Sequence, residues 1–221
     1  MLFSKLCKLT LGLLLVASEV PAAWAQASAN TINLNSQFVL AARAGRLERV
    51  SALLAQGAKV NSRDRNGDSP LNTAAAKGNA ALVDVLIKAG ADVELGNLAG
   101  VTPLMGAAFA GKADIVHKLV AAGAKVEPLD RVKKNAATYA AGNGCSECLA
   151  ELLRAGAQVN ALLENDLTLL MWAASYGYED SVRLLLTHGA DRSLKDNRGK
   201  TAADLAREGG HSAVVALLTS P

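Results

Sequence analysis

Residues that commonly carry chemistry are scarce in this chain. Its 221 residues include three cysteines and three histidines. The histidines, His117, His188 and His211, are far apart, and none has a partner at the spacing typical of a metal site. No nucleophile motif indicates a Ser-His-Asp set, and no glycine-rich phosphate loop occurs. We therefore expect no enzyme active site, no bound metal and no cofactor.

The chain also lacks a dominant charge. It has 23 Lys or Arg against 20 Asp or Glu, a formal net charge of +3. No continuous basic stripe runs along the sequence, which argues against a nucleic-acid partner. Two short segments are locally basic, and we interpret both as solvated surface: Arg131, Lys133 and Lys134 form the first, and Lys195, Arg198 and Lys200 the second.

Long apolar runs are missing except near the N-terminus. Lys5 and Lys8 precede an apolar run at 9–17, and Ala23-Trp24-Ala25 places small residues two apart, a pattern typical of a secretory signal peptide. The run is shorter than a membrane span, although an uncleaved anchor is the alternative. We predict a signal peptide at 1–25 cleaved near Ala25, a flexible leader at 26–35, and a periplasmic or secreted protein that leaves the membrane after cleavage.

What the sequence has in abundance is a repeat of 33 residues. The pair Gly-Ala stands at 57/58, 90/91, 123/124, 156/157 and 189/190. Three further columns share this period: alanine from Ala41 to Ala206, glycine from Gly45 to Gly210, and leucine from Leu53 to Leu218. The domain 36–221 therefore consists of about six copies, with the following approximate bounds: 36–64, 65–97, 98–130, 131–163, 164–196 and 197–221.

Each copy is predicted to form two short helices. The glycine column can end the first helix, and the Gly-Ala pair the second, which spans roughly 80–88 in the second copy. The apolar face of each copy can be covered only by its neighbours, so the copies must stack. Six residues able to cap a first helix recur at the repeat period: Ser36, Ser69, Thr102, Asn135, Thr168 and Thr201.

The copies resemble ankyrin repeats. Residues 100–108 (GVTPLMGAA) and 166–174 (DLTLLMWAA) are the most similar to the family signature, and the resemblance covers about residues 36–220. It implies an all-α solenoid of about six 33-residue helix-turn-helix repeats joined by hairpin loops. It also implies a non-enzymatic protein–protein interaction module, an adaptor or scaffold whose partner is another protein. We expect a monomer, and the short signal favours a bacterial, exported member.

The resemblance also indicates where a partner would bind. In ankyrin-like solenoids the hairpin tips and the exposed side of the first helices line a concave groove, and aromatic residues and methionine are enriched where partners dock. Some of the residues at these positions, namely Met105, Met171 and Trp172, could instead pack between first helices. The predicted partner-binding residues are Leu98, Val101, Met105, Phe109, Leu129, Leu162, Leu167, Met171, Trp172 and Tyr176.

The fourth copy departs most from the repeat pattern. It carries Cys145-Ser-Glu-Cys148, whose cysteines are candidates for a local disulfide. A thiol redox protein acting through this pair is one alternative function, and a secreted effector acting on a host protein is another. Lys133 replaces the hairpin glycine of the other copies, so we expect a looser hairpin here. No copy has the histidine that follows leucine in the family signature.

Overall fold

The computed structural model describes residues 22–220, with side chains from residue 33 onward. Within that part of the chain all regular structure is helical, as predicted. A 3-10 helix at Glu164–Asp166 precedes the ninth of twelve α-helices. The α-helices are α1 Ala22–Arg43, α2 Leu47–Ala55, α3 Pro70–Lys77, α4 Ala80–Lys88, α5 Pro103–Phe109, α6 Ala113–Ala121, α7 Ala136–Gly142, α8 Ser146–Arg154, α9 Leu169–Ser175, α10 Glu179–Thr187, α11 Ala202–Glu208 and α12 Ser212–Thr219.

The helices form two layers that follow the repeat. The odd-numbered helices, first in each copy, contact one another in chain order from α1 to α11, and the even-numbered helices do so from α2 to α12. Each first helix also packs on the second helix of its own copy. The leucine column lies between the layers and is buried in every copy, from Leu53 to Leu218. The copies therefore stack into the predicted solenoid, and stability comes from neighbouring copies.

The N-terminal part of the structure corrects two expectations. Residues 26–35, predicted as a flexible leader, are helical and belong to α1. Ser36 therefore lies inside α1 and does not cap it. Residues 22–35 contain neither glycine nor proline, so nothing in their sequence stops the helix before Ser36. Most of the predicted signal peptide, residues 1–21, lies outside the described residues.

The other five predicted caps are present. Ser69, Thr102, Asn135, Thr168 and Thr201 each accept a hydrogen bond from the backbone amide three residues later. Each such cap stabilises its helix by about 1 kcal/mol. These caps fix where each first helix begins, and hence where its exposed side chains lie.

The family histidine lies three residues after each capping residue, and the side chains that replace it here form further hydrogen bonds at these caps. Met105 Sδ and Met171 Sδ accept the backbone amides of Thr102 and Thr168, each at 3.5 Å. Asn72 Oδ1 accepts the amide of Ser69 at 3.0 Å, and Asn72 Nδ2 donates to the carbonyl of Val101 at 3.1 Å. The bond from Asn72 to Val101 ties α3 to the next hairpin. Asn72 therefore supplies a contact to the hairpin that the missing histidine would make.

Asp204 fills the same position in the last copy. Hydrogen bonds from the backbone amide and the hydroxyl of Thr201, and then from Arg207, lower the pKa of Asp204 to about 2. The carboxylate is therefore ionised at neutral pH, when it accepts both bonds from Thr201 at the start of α11. Negative charge in the first turn of a helix is favourable.

The hairpin of the fourth copy corrects the expectation that it is looser. Asp130 and Lys134 are joined by a backbone bond of 3.0 Å, and the amide of Lys133 donates to the carbonyl of Asp130 at 3.0 Å. Asp130 Oδ1 accepts the amides of Val132 and Lys134 at 2.9 Å, and Lys133 adopts a φ of +55° without a glycine. The carboxylate organises the turn, so the missing glycine does not open it.

The neighbouring hairpin at 163–167 departs further from the pattern. Leu163 occupies the position of Asp130, so its side chain cannot accept the turn amides. Asn165 and Asp166 both have positive φ values, of +60° and +59°. This loss of the side-chain acceptor was visible in the sequence, since Asp64, Asn97 and Asp196 stand at the equivalent positions in other copies.

Candidate functional site

Aromatic side chains gather at one place on the solenoid. The chain has three Phe, two Trp and three Tyr. Phe109 and Tyr139 meet edge to face with ring centroids 5.8 Å apart. Trp172 stacks on Tyr176 at 6.3 Å, and Tyr176 stacks on Tyr178 at 6.0 Å. We call these five residues the aromatic cluster.

The repeat geometry brings the cluster together. Phe109 ends α5, Tyr139 lies in α7 and Trp172 in α9, which are the first helices of three successive copies. Tyr139 and Trp172 are 33 residues apart and share one repeat position. Tyr176 and Tyr178 follow at the end of α9 and the start of α10. The cluster therefore lies along the layer of first helices in the middle of the stack.

A small pocket of about 110 Å³ opens within the cluster. Gly142, at the repeat position of Phe109, forms part of its wall, and a Cβ there would lie 3.4 Å from Trp172 Cε3. A larger residue would crowd the space between the rings. The pocket is lined by Phe109, Lys134, Thr138, Tyr139, Gly142, Asn143, Trp172 and Tyr176.

Polar contacts hold the walls of the pocket. Lys134 Nζ lies 4.3 Å from the ring centroid of Trp172 and 5.8 Å from that of Tyr139, distances at which a cation is attracted to an aromatic face. The hydroxyl of Tyr139 donates to the buried carboxylate of Asp130. Burial and this carboxylate raise the pKa of Tyr139, so its hydroxyl remains a donor at neutral pH. The pocket is thus built in advance of any ligand.

The rim of the pocket is exposed although it is aromatic. Phe109 is 61% exposed and Tyr176 53% exposed, whereas Tyr139 and Trp172 are partly buried. Exposed apolar surface collected in one patch, rather than scattered singly, marks an interaction site.

A family model described as ankyrin repeats in three copies matches residues 38–130 and again residues 137–221. The chain belongs to the ankyrin-repeat family. Two matches of three copies agree with the six copies read from the 33-residue period. The segment between the matches contains Lys133, which replaces the hairpin glycine. A search of curated proteins gives no match to this ankyrin-repeat chain.

Ankyrin repeats are protein–protein interaction modules, and the aromatic cluster lies along the layer of first helices. The structure divides the ten predicted partner-binding residues into three groups. Leu98, Phe109, Leu129, Leu162 and Tyr176 are exposed, and Val101, Leu167 and Trp172 are partly exposed. Met105 and Met171 are each 1% exposed.

Placing Met105 and Met171 in the partner site was wrong. Both side chains turn inward and accept cap amides, so a partner cannot reach them. Of the ten, three line the pocket: Phe109, Trp172 and Tyr176.

Sequence reasoning missed several residues of the cluster. Tyr139 and Tyr178 were not predicted, nor were Lys134 and Asn143 of the pocket wall. For Tyr139 a signal existed, because it shares its repeat position with Trp172. For Tyr178 the packing is visible only in three dimensions, since its ring covers Gly144 of the preceding copy.

Cys145 and Cys148 of the ankyrin-repeat protein are joined in a disulfide, with 5.3 Å between their Cα atoms. Cys145 is the residue that caps α8, and Cys148 is 0% exposed in the core. Thiol exchange with another protein requires access to one sulfur of the bridge, and of the two residues only Cys145 is partly exposed. The bridge closes the first turn of α8, next to the glycine on which Tyr178 packs.

The histidines take part in local contacts. His117 Nδ1 lies 3.4 Å from Glu151, His188 Nδ1 2.8 Å from the carbonyl of Leu184, and His211 Nε2 3.1 Å from that of Ser175. In the part of the chain that the structure describes, no group of three or more His, Cys, Asp or Glu side chains could hold a metal ion.

No helix among residues 22–220 is long and apolar enough to cross a membrane.

A larger groove of about 830 Å³ lies at the first copy, between α1 and the hairpin at 62–66. Its lining contains no aromatic residue, and Arg43 forms an ion pair with Asp64 there. Interface anchors are enriched in Trp, Tyr and Arg; this groove offers arginines alone, whereas the aromatic cluster offers Trp172 and tyrosines. The aromatic cluster is therefore the stronger candidate.

Proposed function

We propose that this ankyrin-repeat protein is an exported adaptor or scaffold that binds a partner protein through the aromatic cluster on its concave face. The observation that carries the proposal is the concentration of aromatic residues: five of the chain's eight lie in one cluster, and two of these are more than half exposed. Interface energy is usually concentrated in a few aromatic anchors with a polar surround.

Burial of the two exposed rings would supply a useful part of the binding energy. Covering roughly 100 Å² of each ring would contribute about 2.5 kcal/mol per ring at about 25 cal/mol per Å². The pocket walls are already held by Lys134 and Asp130, so little ordering entropy is lost on binding. The apolar surface that can be buried and the small loss of entropy on binding both favour the cluster over the polar face of the second helices.

Truncating an exposed ring is expected to weaken partner binding. Phe109→Ala and Tyr176→Ala should each cost about 2 kcal/mol, or roughly thirtyfold in Kd, if the ring is an interface anchor. The measurement is quantitative capture of partner protein from the chain's own compartment on immobilised wild type and variants. Circular dichroism of each variant shows whether it is folded.

Matched controls lie on the second helices. His117 and Arg183 are exposed, and each pairs with a carboxylate, at 3.4 Å and 3.9 Å, in contacts that stabilise the protein little. His117→Ala and Arg183→Ala should capture partner as wild type does. If these variants lose the partner while folded Phe109→Ala and Tyr176→Ala retain it, the site is the second-helix face instead.

Export is the second part of the proposal. It is supported by the basic and apolar pattern of residues 5–17 and by the Cys145–Cys148 disulfide, since disulfides persist in oxidising compartments. Mass spectrometry of the N-terminal peptide from native protein should find a mature chain that begins near residue 26. A chain that begins at Met1 or Leu2 contradicts cleavage of a signal peptide.

A further inference from the structure

The aromatic cluster borders a hairpin whose outward charge is positive. Lys134 covers Trp172, and the side chains of Arg131 and Lys133 are exposed in the same turn. Neither Arg131 nor Lys133 forms an ion pair within residues 33–220. The acidic residue of the hairpin, Asp130, is 6% exposed and accepts two backbone amides and the hydroxyl of Tyr139. Its charge therefore faces inward, whereas Arg131 and Lys133 face solvent and the partly exposed Lys134 lies over Trp172.

The positive area is narrow. Residues 131–133 lie within a turn closed by the bonds between Asp130 and Lys134, and the next hairpin carries Glu164 and Asp166. Charges farther apart than about 8 Å are largely screened at physiological salt. The area therefore suits one or two carboxylates rather than a long acidic run.

The size of the pocket limits the apolar group that fits. Its volume is about 110 Å³. A cavity of about 150 Å³ accommodates a benzene ring. The pocket therefore has room for one aliphatic side chain or a proline ring, and its aromatic walls offer that group an apolar environment.

We infer that the partner presents an extended acidic segment, in which one aliphatic residue or proline enters the pocket and one or two neighbouring Asp or Glu residues pair with Arg131, Lys133 or Lys134. This inference rests on the proposed function and specifies the chemistry of the partner at the same site. The apolar anchor supplies most of the affinity, and the carboxylates select the partner by charge.

Selection from a random-peptide display library on the immobilised full-length protein tests the inference. The enriched peptides should share Leu, Ile, Val or Pro beside one or two acidic residues. Isothermal titration then compares each enriched peptide with two analogues, one carrying Asn or Gln for the acidic residues and one carrying Ala for the anchor. Loss of the acidic residues should weaken binding about tenfold. Loss of the anchor should weaken it more, roughly thirtyfold, because the anchor supplies most of the affinity.

Variants of the protein separate charge from shape. Arg131→Glu removes a cation without touching the pocket wall, and Lys134→Met keeps an apolar stem over Trp172 while removing the charge. Arg131→Glu should weaken the enriched peptides about tenfold but leave their uncharged analogues unaffected. Lys134→Met also alters the pocket wall, so it should weaken both kinds of peptide, and the enriched peptides about tenfold more than their uncharged analogues. Lys88→Glu makes the same charge change as Arg131→Glu at an exposed position on α4, and it should bind as wild type.

The outcomes distinguish this inference from the proposed function. Enriched peptides that are neutral or basic, yet require Phe109 and Tyr176, overturn the acidic segment and leave the aromatic site standing. Enriched peptides that bind folded Phe109→Ala and Tyr176→Ala as tightly as wild type overturn both. Absence of enrichment over bare support also overturns the inference, because a site of this kind should select its own sequence.

Discussion

Leu119→Ala is expected to lower the free energy of unfolding by about 3 kcal/mol. Leu119 is 0% exposed in α6, between the two helical layers. Removing a buried leucine side chain costs about 2–5 kcal/mol, because transfer energy is lost and the cavity does not fully close. Leu86 and Leu152, at the same repeat position in the flanking copies, are equally buried and have little freedom to fill the space.

Denaturant unfolding followed by circular dichroism measures this effect, and thermal unfolding should show a midpoint lower by roughly 6–12 °C. Leu129→Ala is the matched control. Leu129 is 50% exposed, so the same truncation should change stability by about 0.5 kcal/mol or less. Equal losses in both variants would contradict the placement of the leucine column between the layers.

Gly144→Ala is expected to lower the free energy of unfolding by about 3 kcal/mol as well, for two reasons. Gly144 has a φ of +72°, where an alanine costs about 1–2 kcal/mol. An added Cβ would also lie 2.6 Å from Tyr178 Cδ1 and 2.9 Å from its Cγ. The ring must move as a whole, at a further cost of about 1–3 kcal/mol for overpacking.

Gly111→Ala isolates the backbone part of that cost. Gly111 occupies the same repeat position with a φ of +66°, and a Cβ there would meet nothing within 4 Å. Its loss should be about 1–2 kcal/mol, from φ alone. Gly144→Ala should also weaken partner binding, since Tyr178 stacks on Tyr176, whereas Gly111→Ala should not. Identical stability in the two variants would show that Tyr178 does not pack on Gly144.

The fold was predictable because repetition multiplies weak signals. One Thr-Pro-Leu tripeptide, at Thr102, is only a modest signal for the start of a helix. Capping residues at a fixed period, alternating with glycines that end helices, are compatible with only one arrangement. The second helix predicted over 80–88 occurs as α4 Ala80–Lys88. The same reasoning failed at Ser36. A capping residue marks the start of a helix only where the preceding residues are not themselves helical, and here α1 runs through Ser36.

Individual side chains of the site were harder to predict. The repeat period gives the helix on which a residue lies, but it does not give the exposure of the side chain. Met105 and Phe109 both lie on α5, yet Met105 is buried and Phe109 is 61% exposed. The difference arises because Met105 lies three residues after Thr102 and turns back to accept its amide. No property of methionine itself indicates that role, since histidine or asparagine can fill it.

Sequence alone determined the helical solenoid, its period and the caps from Ser69 onward, because these depend on local backbone preferences and on an apolar pattern repeated along the chain. Tertiary structure decided the site. Phe109, Tyr139 and Trp172 belong to three copies, and only stacking brings Phe109 against Tyr139 and places Trp172 in the wall of the same pocket, beside Gly142. The charge of Asp130 is visible in the sequence, but its inward direction depends on the turn that it organises, so the positive surface beside the pocket emerges only in the folded protein.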